Sequence, residues 1–272
     1  MSIEQIDLTQ RLKGKVAVIT GGASGIGLAT AKRMRAEGAT IVIGDMDPKS
    51  GTAAAEELEG TFIQVNVADE DQVNHLFDET VRLHGRVDIA FNNAGISPPD
   101  DDSIETTELP AWQKVQDVNL KSVYLCCRAV LRHMTKQGSG SIINTASFVA
   151  VLGSATSQIS YTASKGGVLA MSRELGVQFA RQGIRVNALC PGPVNTPLLQ
   201  ELFAKDPERA QRRLVHIPIG RFALPEELAA AVAFLARTTP HSSPDRLSLL
   251  MAEFRAHTSH RSNQHGLRRL GE

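Results

Sequence analysis

Tyr161 and Lys165 are the residues whose types and spacing most directly suggest chemistry. They lie four positions apart in the segment Ser160-Tyr-Thr-Ala-Ser-Lys165, so they share one face if the segment is a helix. A free phenol titrates near pH ~10, and a fixed ammonium beside it favours the phenolate. Such a pair could move a proton near neutral pH. Because the same spacing also occurs on surface helices, a solvated helix face is the alternative.

Short runs rich in β-branched residues alternate along the chain with longer stretches of helical periodicity. The runs predict six strands, at residues 16–20, 40–44, 62–67, 87–92, 141–146 and 185–189. The longer stretches predict helices at residues 26–37, 49–58, 69–84, 111–136, 161–181 and 225–236. Strands joined by helical crossovers pair in parallel. The pattern therefore predicts an α/β fold, one doubly wound parallel sheet with helices on both faces.

Composition limits the classes of partner. The chain has 272 residues, 42% of them hydrophobic, which suffices for one large core, and 29 basic side chains balance 29 acidic ones. This balance gives no field that would draw nucleic acid or an anionic membrane. No apolar run approaches the ~20 residues of a membrane span, and Cys126, Cys127 and Cys190 fit neither a disulfide framework nor a metal site. We therefore expect a cytoplasmic protein that binds small molecules.

The first predicted strand runs into the segment Thr20-Gly-Gly-Ala-Ser-Gly-Ile-Gly27, which precedes a predicted helix. Glycines in this context allow a tight turn and a close approach of backbone N–H groups to a pyrophosphate. Asp45 ends the second strand, where a carboxylate can accept both hydroxyls of an adenosine ribose and repels a 2′-phosphate. We therefore expect NAD rather than NADP. An ordinary glycine turn and an ordinary turn aspartate are the alternatives.

Several motifs in the same order resemble those of the short-chain dehydrogenase/reductase family, over residues 12–236. They are the glycine turn, Asn92-Asn-Ala-Gly95, Asn119, Ser147, the pair Tyr161 and Lys165, and Pro191-Gly192. The resemblance implies a single-domain Rossmann-type fold for residues 1–237 and, if the C-terminus permits, a homotetramer or homodimer. It assigns cofactor contacts to Gly21, Ser24, Gly25, Ile26, Gly27, Asp45, Asn66, Val67, Asn93, Ala94, Gly95, Tyr161, Lys165, Pro191, Gly192, Val194 and Thr196.

The resemblance also implies an oxidoreductase that transfers a hydride between NAD(H) and a secondary alcohol or ketone substrate. Tyr161 is then the general acid/base, and Ser147 donates a hydrogen bond to the same substrate oxygen. Lys165 stabilises the phenolate and holds the nicotinamide ribose. Asn119 bends its long helix and holds a water that relays protons from Lys165, with a helix-face amide satisfied by its neighbours as the alternative.

Three features depart from the family pattern. Asn66 stands where the family often has an aspartate near the adenine amino group, and its amide oxygen can accept the same bond. Residues 148–160 form a slightly longer connection than is common. After Arg237 the seventh strand of the family is not recognisable, because residues 238–272 form a polar tail without an alternating apolar run. Its histidines are spaced too irregularly for a metal site, so we expect no metal: His241, His257, His260 and His265.

The genetic code suggests an explanation for the tail, which we expect to be poorly ordered. A reading frame shifted just before Arg237 permits a C-terminus of the family type, and the junction of Met251 and Ala252 can only encode glycine in that frame. We therefore hypothesise a frameshift. If the tail is genuine, the sixth strand becomes a bare edge and helix 225–236 loses apolar cover. The alternative function is then a catalytically silent or unstable NAD-binding protein.

The substrate pocket is predicted from a lid segment and a few wall residues. Residues 195–222 are expected to form a mobile lid, with simple helix packing as the alternative. The apolar face of this lid would carry Leu198, Leu199, Leu202 and Phe203. Ile96, Ser97, Phe148 and Val149 suggest a partly apolar wall. The acidic segment 98–102 is expected to be a solvated loop.

Overall fold

The structure is a computed structural model, which describes residues 10–154, 156–197, 199–200, 204, 217, 219–237 and 250–251. The strands are β1 (Val16–Thr20), β2 (Thr40–Asp45), β3 (Thr61–Gln64), β4 (Ile89–Asn92), β5 (Gly140–Thr145), β6 (Ile184–Cys190) and β7 (Leu250–Met251). The helices are α1 (Gly25–Ala36), α2 (Pro48–Glu57), α3 (Glu70–His84), α4 (Leu109–Gln116), α5 (Ser122–Gln137), α6 (Ile159–Phe179) and α7 (Pro225–Ala236). No helix in this part of the chain is both long and apolar enough to cross a bilayer.

All strands pair in parallel, in the order β3-β2-β1-β4-β5-β6-β7. Alternate residues face opposite sides of the sheet, so Val18 and Val42 enter one core cluster and Ile19 and Ile43 the other. Helices α3, α5 and α6 cover the first cluster, and α1, α2 and α7 cover the second. The prediction of a Rossmann-type, doubly wound sheet with helices on both faces is confirmed. The strand order reverses between β1 and β4, which places a binding crevice at their carboxyl ends.

Two strands are shorter than the apolar runs that predicted them. β3 ends at Gln64, because Asn66 turns the chain: its Oδ1 accepts a hydrogen bond from the backbone N of Ala68 at 3.1 Å. β4 begins only at Ile89, because the backbone of Val87 pairs with the side-chain amide of Gln137 instead of with a strand. Apolar character thus reflects burial, whereas strand length also depends on hydrogen-bond partners supplied from elsewhere.

The single helix predicted over residues 111–136 is two helices, α4 and α5, joined by a π-helical turn at Asp117–Lys121. Asn119 lies at the centre of this turn and is fully buried. Single π turns within α-helices are frequent at functional sites. The helix is therefore irregular at Asn119, where the sequence predicts a local bend.

The edge of the sheet differs from the expectation for a genuine tail. Leu250 and Met251 pair in parallel with Leu189 and Cys190, at the carboxyl end of β6. The last two residues of β6 are therefore paired and do not form a bare edge. The rest of the 238–272 tail, including its four histidines, lies outside the described residues. The frameshift hypothesis concerns mostly these residues and stays a prediction.

Arg185 in β6 fixes the end of α7, where the resemblance to the family stops. Its Nη1 donates to the carbonyl of Leu235 at 2.7 Å and its Nη2 to the carbonyl of Arg237 at 2.9 Å. The hydroxyl of Ser141 donates to the same Leu235 carbonyl at 3.1 Å. Carbonyl groups at a helix C-terminus have no partner within the helix, so these donors stabilise the last turn of α7.

Arg185→Ala is expected to lower the free energy of unfolding by roughly 2 kcal/mol, because it removes two charge-assisted hydrogen bonds from a largely buried site. Urea titration followed by circular dichroism measures the loss. Arg221→Ala is the control, since Arg221 pairs with Glu227 on the exposed surface and such pairs contribute little. Equal losses in the two variants would contradict the stabilising role of Arg185.

Candidate active site

The glycine turn connects β1 to the first turn of α1 and has the geometry expected of an anion site. Gly21 and Gly25 have φ angles of 62° and 52°, in the left-handed region that favours glycine. Ser24 precedes α1 without donating or accepting a side-chain cap bond. The first amides of α1 are therefore left for an anionic group, which the helix dipole also favours.

Asn93 and Thr20 hold the glycine turn against the end of β4. The Nδ2 of Asn93 donates to the carbonyls of Thr20 and Gly21, each at 3.2 Å. The hydroxyl of Thr20 accepts hydrogen bonds from the backbone N of Asn93 and of Ala94. Gly27 packs under the turn, where a Cβ atom would lie 2.0 Å from the Gly21 carbonyl oxygen. The Asn92-Asn-Ala-Gly95 motif thus shapes the turn.

Asp45 lies at the carboxyl end of β2 and faces the glycine turn. Its Oδ2 accepts a hydrogen bond from the backbone N of Ala23 at 3.1 Å, and its Oδ1 accepts one from Asp47 at 3.2 Å. Each carboxylate oxygen keeps a further lone pair for a ligand hydroxyl. The chemistry of this site therefore fits a ribose diol. The Oδ1 of Asn66 already accepts from Ala68, so only its second lone pair remains for an adenine amino group.

These groups line one cleft of about 950 Å³ at the carboxyl ends of the strands. Most predicted cofactor residues border this cleft: Gly21, Ser24, Gly25, Ile26, Asp45, Asn66, Val67, Asn93, Ala94, Gly95, Tyr161, Lys165 and Thr196. Gly27 lies behind it as a packing residue. The cleft is large enough for a dinucleotide.

A smaller pocket of about 150 Å³ adjoins the cleft. It is lined by the other predicted cofactor residues, Pro191, Gly192 and Val194, and by Ser147. Tyr161 borders both the pocket and the cleft. The phenol therefore lies where a cofactor in the cleft would meet a substrate in the pocket.

The end of β5 fixes Ser147. The backbone N of Ala146 donates to the carbonyl of Leu189, and that of Phe148 donates to the carbonyl of Pro191. These bonds on both sides bind the serine segment to the end of β6. Ser147 is buried and borders the small pocket. A hydroxyl that lines the pocket on a backbone segment held from both sides suits a hydrogen-bond donor to a substrate oxygen.

Lys165 lies one helical turn after Tyr161 and is 3% exposed. Its Nζ donates to the carbonyl of Thr145 at 2.7 Å and lies 5.5 Å from the centroid of the Tyr161 ring. Burial lowers the pKa of the ammonium from 10.5 to about 8, and the nearby Cys190 thiol acts weakly in the opposite direction. The side chain is therefore still mostly charged at pH ~7. The structure thus brings the predicted pair together, with the buried ammonium of Lys165 near the ring of Tyr161.

The side chain of Asn119 binds the chain that leaves β4. Its Oδ1 accepts from the backbone N of Ile96 at 2.7 Å, and its Nδ2 donates to the Ile96 carbonyl at 2.9 Å. The alternative of an amide satisfied by neighbouring groups therefore describes this side chain. Asn119 thus connects the π turn to Ile96, which lines the cleft. Its side chain lies next to Gly95, as does that of Lys165.

Two contacts at the site lay outside the sequence predictions. The carbonyl of Thr145, which binds Lys165, follows only from the end point of β5. Asp101 lies in the segment expected to be a solvated loop, and that expectation is wrong at this residue, because Asp101 is 2% exposed and accepts hydrogen bonds from the first turn of α6. No local pattern marks either residue.

The predicted lid is described only in part. Leu199 borders the small pocket, and the lid itself stays a prediction. Leu198, Leu202 and Phe203 lie outside the described residues. Val149, expected in the pocket wall, is buried beside Phe148, and Phe148 and Ser97 border the small pocket.

Comparison with known proteins gives an independent view of the chain. The family model described as enoyl-(acyl carrier protein) reductase matches residues 21–241. The 3-oxoacyl-[acyl-carrier-protein] reductase FabG of Thermotoga maritima is 40% identical over 83% of this chain and 92% of its own. The cis-4-hydroxycyclohexanecarboxylate dehydrogenase of Sinomonas cyclohexanicum is also 40% identical, over 82% of this chain and 89% of its own.

A solved structure extends the likeness to the fold. The crystal structure of levodione reductase superposes with a TM-score of 0.81 at 33% identity, over 89% of this chain and 97% of that one. The family match at residues 21–241 covers most residues that line the cleft, together with those around Tyr161. With such identity over most of its length, the chain belongs to the short-chain dehydrogenase/reductase family, a family of oxidoreductases that use nicotinamide cofactors.

Proposed function

We propose that this protein transfers a hydride between NAD(H) and a secondary alcohol or ketone, with Tyr161 as general acid/base. The observation that carries the proposal is the place of Tyr161 at the junction of a dinucleotide-sized cleft and a small pocket, with buried Lys165 beside it and Ser147 in the pocket. The relatives support the reaction class, since one is a 3-oxoacyl-[acyl-carrier-protein] reductase and another a cis-4-hydroxycyclohexanecarboxylate dehydrogenase.

In this mechanism Tyr161 transfers the proton, and Ser147 and Lys165 stabilise negative charge. When bound, the nicotinamide supplies or accepts the hydride. Tyr161 gives a proton to the substrate oxygen during ketone reduction and takes it back during alcohol oxidation. Ser147 donates a hydrogen bond to that oxygen and stabilises its developing negative charge. Lys165 stabilises the phenolate of Tyr161 through its charge and has two further N–H donors for the hydroxyls of the adjacent ribose.

A small, partly apolar pocket favours a compact ring ketone or alcohol as substrate. The assay measures the absorbance of NADH with levodione, cis-4-hydroxycyclohexanecarboxylate and an acetoacetyl thioester, which correspond to the substrates in the names of three relatives. Turnover with at least one of them is expected. Binding of NADH, detected by fluorescence, without turnover on any compound would support the silent NAD-binding protein instead.

The preference for NAD follows from the charge of Asp45. The double change Asp45→Ser with Met46→Arg is expected to shift the ratio of kcat/KM values towards NADPH by about 100-fold, because a repelled 2′-phosphate gains a guanidinium partner. Asp47→Ser is the matched control. Its carboxylate caps α2 through Lys49 and Ser50, so it should not change the preference. An unchanged ratio in the double variant would show that Asp45 does not select the cofactor.

A further inference from the structure

Asp101 is a buried carboxylate in an acidic loop. The loop follows β4 and contains three consecutive aspartates, of which Asp101 is 2% exposed. Its Oδ1 accepts the backbone N–H of Ser160 at 2.9 Å, and its Oδ2 accepts that of Tyr161 at 2.8 Å. A carboxylate is buried without great cost only where such charge-assisted hydrogen bonds satisfy it. The structure therefore assigns this acid to the backbone of Tyr161.

The first turn of α6 has no cap of its own. Gln158, the residue before the helix, makes no side-chain cap bond. The backbone N of Ile159 instead donates to the carbonyl of Asp102 at 3.0 Å. The amides of Ile159, Ser160 and Tyr161 are thus all satisfied by a loop about 60 residues earlier in the chain. A negative charge at this helix end is also favoured by the helix dipole.

Other contacts hold this capping loop and the first turn of α6 in place. The backbone N of Asp102 donates to the hydroxyl of Thr107 at 2.9 Å, which closes the loop on itself. From α4, the Nε2 of Gln116 donates to the carbonyl of Ser160 at 3.0 Å. The turn that carries Tyr161 is therefore fixed from two sides, by the loop and by α4.

We propose that Asp101 is a positioning residue for Tyr161, acting through the backbone of α6. The inference rests on the proposed role of Tyr161 as general acid/base. Helix ends fray when their amides lack partners, and Tyr161 lies in the first turn. Loss of the cap displaces the phenol from Ser147 and from Lys165, which lies further along the same helix. A displacement of about 1 Å lowers a rate by about 100-fold.

The kinetic test compares Asp101→Ala with Asp101→Asn and with a matched control. Asp101→Ala is expected to lower kcat by about 10- to 100-fold with little change in KM for NADH. Asp101→Asn keeps one acceptor oxygen, so its kcat should lie between those of the Ala variant and the wild type. Asp69→Ala removes the cap of α3, where Asp69 accepts from Asp71 and Gln72, and should leave kcat unchanged. Equal kcat losses at the two caps would overturn the proposal.

A double variant separates this inference from the proposed function. In a Tyr161→Phe background, Asp101→Ala should cause no further loss of rate, because the group that Asp101 positions is already gone. Full additivity of the two losses would overturn the positioning role. If Tyr161→Phe alone keeps its turnover, the proposed function fails instead.

Hydrogen exchange tests the cap without any substrate. In Asp101→Ala the amides of Ser160 and Tyr161 should exchange at least about 10-fold faster than in the wild type, while the later turns of α6 keep their protection. Asp69→Ala should leave both amides unchanged. Unchanged protection of the first turn in Asp101→Ala would refute the inference, even for a protein whose substrate is unknown.

Discussion

Tyr161→Phe is expected to lower kcat by about 100- to 10,000-fold, the contribution of a positioned general acid/base. The substitution removes one hydroxyl and keeps the ring, which lies 5.5 Å from the Lys165 ammonium. The shape of the cleft and the binding of NADH should therefore change little. The loss should appear in kcat, measured by NADH absorbance with a cyclic ketone, and not in the KM for the cofactor.

The chain offers a matched control for this substitution. It contains two tyrosines, and the second, Tyr124, is 49% exposed on α5. Tyr124→Phe removes the same hydroxyl away from the cleft and should keep full kcat. A Tyr161→Phe variant with the activity of the wild type would require another proton donor.

Lys165→Met is expected to abolish most activity and to change how stability depends on pH. The folded pKa of Lys165 is about 8, below the ordinary value of 10.5, because burial penalises the charged form. Below about pH 8 both states carry the proton, and the folded state has the full penalty of a buried charge. Between about pH 8 and 10.5 the unfolded chain binds more protons, so the stability of the wild type rises with pH.

The size of this effect follows from the shift between the two pKa values. A difference of about 2.5 units corresponds to roughly 3 kcal/mol, and this should be the rise across the window. Lys165→Met lacks the titrating group and should lack the rise. Relative to the wild type, the variant should therefore be most stable near neutral pH and lose that advantage by pH ~10.5.

Urea unfolding of the cofactor-free protein at several pH values measures this difference. Groups that titrate alike in both proteins cancel when the two curves are subtracted. Lys136→Met is the control, since it removes the same charge from an exposed position on α5. A difference between the Lys165→Met variant and the wild type that is constant across the window would show that the ammonium is not desolvated.

Much of the fold and of the cofactor site follows from local sequence. Helical and strand periodicities predicted β1 to β6 in their order along the chain, because side-chain period depends only on neighbouring residues. The glycine turn and Asp45, predicted from a strand, a turn and a helix in succession, line one cleft in the structure, and their binding of a cofactor stays a prediction. Pro191, Gly192 and Val194 line the small pocket beside the cleft, and their cofactor contacts stay a prediction.

Predictions failed where a partner is distant in sequence. The late start of β4 depends on the side chain of Gln137, and the paired end of β6 depends on Leu250 and Met251. The early end of β3 has a local cause, the turn at Asn66. The solvated character assigned to residues 98–102 was wrong at Asp101 because its partners lie 59 and 60 residues away. An acidic run has the same local pattern whether it faces water or a helix end.

The sequence by itself determined the order of strands and helices along the chain, the glycine turn between β1 and α1, and the residues proposed to carry the chemistry. These features depend on residue type and spacing within a few turns of chain. Only the tertiary structure decided that Lys165 is desolvated against Thr145, that Tyr161 lies between cleft and pocket, and that Asp101 caps its helix. Burial and hydrogen bonds between distant segments arise from the packing of helices on the sheet, which no local pattern encodes.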